Sequence, residues 1–171
     1  MNTYYDSIAS GYDELHKEEQ LKKLELIKKE IENNSALNGF IKSEHKLLDV
    51  GCGSGISTNF FSAREHFGID PSKELIKIAI KKDSKGKYLV ANAENMPFLK
   101  KEFDIVISLT AIQNFDDIDR GLKNIKRFGK KFILTFLKKS EKKELIEKLI
   151  KENFQIIKEI EEDKDMIYFC E

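Results

Sequence analysis

The sequence predicts an α/β fold, a doubly wound and mainly parallel sheet of seven strands whose last two form an antiparallel hairpin. Three observations carry this. Strand-sized apolar segments alternate with helix-sized amphipathic ones from residue 46 onward. The inner segments, such as Phe103-Asp-Ile-Val-Ile-Ser108, are apolar on both faces, as strands covered on both sides are. The closing pair of apolar segments, joined by a short polar link, reads as a hairpin.

Taken in order, residues 14–31 read as a helix with Leu21, Leu24, Ile27 and Ile31 on one face and charges elsewhere. Asn33-Asn-Ser-Ala-Leu-Asn-Gly39 is a loop. Lys46-Leu-Leu-Asp-Val50 is a strand that runs into Gly51-Cys-Gly-Ser-Gly55, and a helix is expected over 56–64. The second strand is 66–70. Pro71 and Ser72 then open a helix whose buried stripe should be Leu75, Ile76, Ala79 and Ile80. Strands at 88–91 and 103–108 follow. A helix carrying Ile118, Leu122 and Ile125 leads through Gly129 to a fifth strand near 132–137. Ser140 can cap a helix with Leu145, Ile146, Leu149 and Ile150, and the hairpin pairs 154–160 with 166–170.

The chain has 171 residues, and thirty Lys plus Arg balance thirty Asp plus Glu. That length suits one domain that buries roughly 70% of its unfolded surface. Zero net charge argues against a global field that grips duplex nucleic acid, while leaving room for a local basic patch. The longest apolar runs are strand-sized, so no membrane span is expected. The N-terminus shows neither a basic region nor an apolar run of signal-peptide type, which leads to the expectation of a cytoplasmic protein. Cys52, Cys170, His16, His45 and His66 fall in no metal-ligand spacing, so no metal site is expected. Interspersed Glu residues make the 17–29 charge pattern a solvated helix face rather than an RNA track.

In a parallel sheet of this kind the ligand sits beyond the carboxyl ends of the strands. The site is therefore built from the loops after Val50, Asp70, Ala91 and Ser108. Glycines at 51, 53 and 55 let the first loop turn tightly and let a ligand approach its backbone. The spacing departs from a nicotinamide fingerprint, since Ile56 follows Gly55, and no Lys-Ser or Lys-Thr makes it a phosphate loop. Asp70 ends the second strand where a carboxylate can accept both hydroxyls of a ribose. It stands also at a helix N-terminus, where an acid is stabilising by itself.

Leu47-Leu-Asp-Val-Gly-Cys-Gly-Ser-Gly55 resembles the first motif of class I S-adenosylmethionine-dependent methyltransferases. Phe67-Gly-Ile-Asp-Pro-Ser72 is similar to their second motif, Ala91-Asn-Ala-Glu-Asn-Met-Pro-Phe98 to their third, and Phe103-Asp-Ile-Val-Ile-Ser108 to their fourth strand. Tyr4-Tyr-Asp-Ser-Ile-Ala-Ser-Gly-Tyr-Asp13 resembles the segment that closes over the cofactor in many members. The resemblance implies a Rossmann-like fold, S-adenosyl-L-methionine as cofactor, residues 1–40 as a helical cover and 45–171 as the catalytic core. It implies that Asp49 and the backbone of Gly51 and Gly53 face the methionine moiety and that Asp70 holds the ribose. Ile69 or Pro71 would lie beside the adenine, with Cys52, Ala93 and Leu109 in the same binding region. Asn92 stands where the family usually has Asp; it keeps one acceptor oxygen and loses charge assistance.

Methyl transfer requires alignment and exclusion of water, with a base only for a protonated acceptor. The loop Leu109-Thr-Ala-Ile-Gln-Asn-Phe115 and the N-terminal tyrosines are expected to face the acceptor. Family members often carry histidine where Gln113 and Asn114 stand, so no strong base is evident there. Gln113 either orients the acceptor or caps its own loop. Tyr12, with Tyr4 and Tyr5, either forms a lid or packs on the sheet edge. Residues 108–113 are faintly similar to the loop of rRNA guanine-N7 methyltransferases, whose acceptor needs no deprotonation. The acceptor stays open between a small molecule and RNA or a translation-related protein. A bare core suggests a large acceptor or an activating partner subunit. The contrasting reading is a non-catalytic cofactor-binding module.

Overall fold

A computed structural model describes residues 3–171. Helix α1 spans Thr3–Ile8, and a 3-10 turn at Ala9–Gly11 leads into α2, Tyr12–Asn33. Then come β1 Lys46–Val50, α3 Ile56–Phe60, β2 Glu65–Asp70, α4 Lys73–Lys82, β3 Lys87–Val90 and β4 Phe103–Ser108. The chain closes with α5 Ile118–Phe128, β5 Gly129–Leu137, α6 Lys143–Asn153, β6 Ile156–Glu161 and β7 Asp165–Cys170.

The seven strands form one sheet in the order β3-β2-β1-β4-β5-β7-β6. Pairings among β1 to β5 are parallel, and β7 runs antiparallel to both β5 and β6. Order reverses between β1 and β4, so the loops after these two strands diverge and leave a crevice, as the parallel topology requires.

Strand alternation divides the core into two layers. Leu48, Val50, Val106, Phe132 and Leu134 face α5 and α6, whereas Leu47, Ile105, Ile107 and Ile133 face Leu24 and Ile27 of α2. Both faces are thus covered, which explains why the inner strands show no polar alternation. Among the described residues no helix is long and apolar enough to cross a membrane.

Four local expectations shift. The helix after the glycine loop ends at Phe60, because Phe61 turns to extended backbone and buries its ring. Ile80 is 52% and Leu145 49% exposed, each one position off the stripe its helix buries. Leu21 and Ile31 are only partly buried at the margin of the α2 stripe. Ser140 lies ahead of α6 rather than at its cap: its hydroxyl accepts the Lys142 N–H in a preceding turn.

Candidate functional site

The crevice between the β1 and β4 loops opens into a cleft of about 710 Å³, walled on its outer side by α1 and α2. Its size lies within the usual range for small-molecule sites, roughly 300–1,000 Å³. The floor is the glycine loop. Gly51, Gly53 and Gly55 have φ of +80°, +54° and +87°. Glycine is compulsory at 51 for a second reason, since a Cβ there would lie 2.4 Å from that of Ala111 in the β4 loop.

Asp70 locks this loop. Its Oδ2 accepts the Gly53 N–H at 2.9 Å and its Oδ1 accepts the Ser72 N–H at 2.8 Å. Burial pushes its carboxyl up from the ordinary range, against the pull of those two donors. The side chain lines the cleft, with lone pairs remaining beyond the two already engaged.

Asp49 lies beneath the loop, 1% exposed, and does not reach the cleft wall. Its Oδ2 accepts the hydroxyls of Ser57 (2.5 Å) and Thr58 (2.8 Å) on α3, and its Oδ1 has no partner. Burial pushes its carboxyl up to about 7. Cys52 likewise packs behind the loop, in a cluster with Ile76, Ala79 and Tyr88, and burial raises its thiol. The N–H groups of Gly51 and Cys52 both donate to the Ile69 carbonyl, so the outer backbone of the loop is already committed to β2.

Of the residues expected from sequence, Tyr12, Gly51, Asp70, Pro71, Asn92, Ala93, Leu109, Gln113 and Asn114 line the cleft. Asp49, Cys52 and Gly53 do not. Two cleft-lining oxygens, Asn92 Oδ1 and Gln113 Oε1, are buried without a hydrogen-bond partner among the described residues. A buried acceptor left unpaired costs about 1–3 kcal/mol, so each is a polar group ready for a ligand donor. Of the two roles left open for it, Gln113 fills the loop-capping one, its Nε2 donating to the Thr110 carbonyl at 2.9 Å, while its Oε1 has no partner among the described residues. Asn114 Nδ2 donates to Tyr5 Oη at 2.9 Å, tying the β4 loop to α1.

The N-terminal cover is held at several points. Ser72 donates to Asp6, Ser54 donates to Asp13, and Asp13 pairs with Lys82. Tyr12 sits on the glycine loop, its Oη 2.9 Å from where a Cβ of residue 53 would be. Burial, reinforced by Asp70, keeps its phenol protonated.

Sequence reasoning missed most of one wall. Alongside the expected Tyr12, residues His16, Glu19, Gln20 and Lys23 form a stripe along α2 that faces the cleft, so the 17–29 charge pattern is not wholly the solvated face expected of it. Their i, i+4, i+7, i+8, i+11 spacing was visible, yet in sequence a polar stripe lining a cleft looks the same as one facing solvent. Lys23 is 4% exposed and pairs with the fully buried Asp165 of β7 at 2.5 Å, while also donating to Thr110. Thr110 is held at φ +56°, accepting from Lys23 and donating to Asp165. This triad docks α2 on the β4 loop. No group of metal-ligating side chains occurs among the described residues.

A family model described as a methyltransferase domain matches residues 48–131. A protein of Methanocaldococcus jannaschii, itself uncharacterized, is 34% identical over 160 residues, covering 91% of this chain and 59% of that one. The chain spans less than half of several other curated relatives, among them rRNA guanine-N7 and demethylmenaquinone methyltransferases. Among solved structures, a SAM-dependent methyltransferase from Aquifex aeolicus superposes with TM-score 0.68 at 15% identity, over 86% of this chain and 88% of that one. The methyltransferase solved in complex with the Haloferax volcanii Trm112 methyltransferase activator gives TM-score 0.75 at 16% identity, over 97% and 96%.

Proposed function

We propose that this chain is a class I S-adenosylmethionine-dependent methyltransferase that takes S-adenosylmethionine as its cofactor and transfers its methyl group to an acceptor seated between α2 and the β4 loop, a reading the methyltransferase-domain match over residues 48–131 supports. The observation that carries the reading is the cleft at the strand-order switch, with Asp70 and the unpaired Asn92 Oδ1 at one end and the unpaired Gln113 Oε1 at the other.

The residues present fit the cofactor. Asp70 would accept the ribose hydroxyls, Asn92 would accept from the adenine amino group, and Pro71 and Ala93 would border the base. Gly51 would face the methionine end; Asp49, Gly53 and Cys52 would act from beneath, by holding the loop's shape. When bound, the cofactor supplies an electrophilic methyl group on a sulfur that leaves as a neutral thioether. The protein's part is alignment and dryness. Leu109 and Ala111 place the β4 loop over the glycine floor, and the tyrosines of α1 and α2 shield the cleft from water. Gln113 offers its free oxygen to a donor on the acceptor.

The test is calorimetric binding of S-adenosylhomocysteine to wild type and Asp70→Ala. Affinity should drop by at least about tenfold, the worth of one charge-assisted hydrogen bond. Unchanged affinity with a folded variant would refute the assignment.

A specific observation favours an added subunit. The outer strand β3 exposes Leu89 (43%) and Val90 (54%), and the preceding helix α4 exposes Ile80. An apolar, unpaired sheet edge invites another chain to pair with it. We therefore infer that an activating partner subunit docks along β3, an inference the fold shared with the activator-bound Haloferax volcanii enzyme supports. Leu89→Lys with Val90→Lys should abolish co-purification of the partner and leave S-adenosylhomocysteine affinity intact. Retention of the partner by the double variant would exclude this edge.

A further inference from the structure

We propose that His16 is the catalytic base of this site and that the acceptor is one that must shed a proton, a hydroxyl or ammonium group rather than an already basic ring nitrogen. The proposal rests on the methyltransferase reading above and adds the acceptor's chemistry to it.

The position comes from α2. Tyr12 lies on Gly53, and Lys23 touches Thr110 in the β4 loop. His16 stands between them on the same stripe, about 6 Å along the helix axis from Tyr12 and about 10 Å from Lys23. It thus overlooks the ground between the glycine floor and the acceptor loop, and its ring lines the cleft. The ring is placed by the Tyr12 ring, 4.9 Å away between centroids at an interplanar angle of 52°.

Elimination supplies the second argument. A base needs a lone pair free at neutral pH. Among the titratable groups of this wall, Glu19 is paired with Lys164 at 3.0 Å, and that partner holds its carboxyl below the usual range. Lys23 is an ammonium neutralised by Asp165. Tyr5 and Tyr12 are kept protonated by burial. Across the cleft, Asp70 is held by two backbone N–H groups, and Lys142 donates to the Gln113 carbonyl. Asp116 and Glu94 lie on the far rim, beside Phe115 and Asn92, and Glu94 accepts the Asp117 N–H. Neither nitrogen of His16 is engaged by a protein hydrogen bond among the described residues. A neutral imidazole offers one ring nitrogen as an acceptor for a proton.

The step balances without another reagent. The acceptor passes its proton to the free imidazole nitrogen, and its lone pair forms the new bond to the methyl carbon. The carbon–sulfur bonding pair returns to sulfur. Glu19, one helical turn on at i+3, places its carboxylate near the imidazolium that results.

The experiment uses the whole chain with methyl-labelled S-adenosylmethionine and whole-cell extract, comparing wild type, His16→Gln and His16→Phe. Phe keeps the ring on Tyr12, and Gln keeps a polar group. Calorimetric affinity for S-adenosylhomocysteine should stay within about twofold in both variants, whereas label transfer should fall about 100-fold or more. The wild-type rate should rise with pH through an ionisation that the variants lack, and added imidazole should restore part of the rate. Mapped carbethoxylation of the cofactor-free protein should find His16 reactive at neutral pH. Full transfer by His16→Phe would overturn the proposal, as would label confined to guanine N7 or an unreactive His16. Absence of transfer by wild type itself, with cofactor bound, would instead remove the methyltransferase reading on which the proposal stands.

Discussion

In Asp49→Asn the dependence of folding stability on pH should flatten. Asp49 ionises at about 7 in the folded chain, against 3.8 as the ordinary carboxyl value, because burial disfavours the charge more than the Ser57 and Thr58 hydroxyls favour it. A folded-state value raised in this way means that the native state holds the proton longer than the unfolded chain. The corresponding stability is complete below the ordinary value and is lost as pH rises through the folded one. Each pH unit in that window is worth about 1.4 kcal/mol, and about three units separate the values, so roughly 4 kcal/mol is at stake. That is a large part of the 5–15 kcal/mol typical of a domain, to order of magnitude.

The Asn side chain keeps a carbonyl oxygen for both hydroxyls. Its amide N–H groups, however, fall where Oδ1 has no partner, at a pH-independent cost of roughly 1–3 kcal/mol. The variant should therefore be less stable than wild type in acid and equal or more stable in mild alkali. Urea unfolding of both proteins between about pH 5 and pH 8 measures the effect, with the stability difference changing by about 3 kcal/mol over that range. Burial also raises Asp70 and Asp165, both present in each protein; Asp165 cancels in the difference of differences, whereas the Asp70 charge is itself one cause of the Asp49 upshift and belongs to the effect measured. Parallel pH profiles for the two proteins would refute a buried, upshifted Asp49.

Lys23→Met should destabilise by about 3–5 kcal/mol, because it strands Asp165 as a buried charge. Adding Asp165→Leu should recover most of that loss in thermal unfolding; no recovery would mean that the pair is not the reason. Gly51→Ala meets both a positive φ and the Ala111 Cβ at 2.4 Å, so it should cost about 1–2 kcal/mol or more and weaken S-adenosylhomocysteine binding. Ala111→Gly in the same chain relieves the contact alone, and calorimetry should then show partial recovery; identical affinity with and without it would rule out the contact.

Fold and floor were legible because both are local. The bounds of β1 and β4 follow from runs of apolar residues, and the turn after Val50 follows from three glycines that each adopt positive φ. Asp70 was legible too, since a strand end beside a glycine turn leaves a carboxylate few places to point. Periodicity misplaced Ile80 and Leu145, because a helix's buried stripe is set by what packs on it and one residue either way fits the same period.

By itself, the sequence determined the strand–helix alternation, the covered parallel sheet and the glycine floor, all of which are written in neighbouring residues. Only the tertiary structure decided which of the polar residues act together. Lys23 meets Asp165 across most of the chain, Asn114 meets Tyr5, and His16 turns inward because it continues the face of α2 on which Leu24 and Ile27 are buried against β1, β4 and β5. The physical reason is that a side chain's charge and size are fixed by its identity, whereas its partners and its exposure to water are fixed by the packing of distant segments.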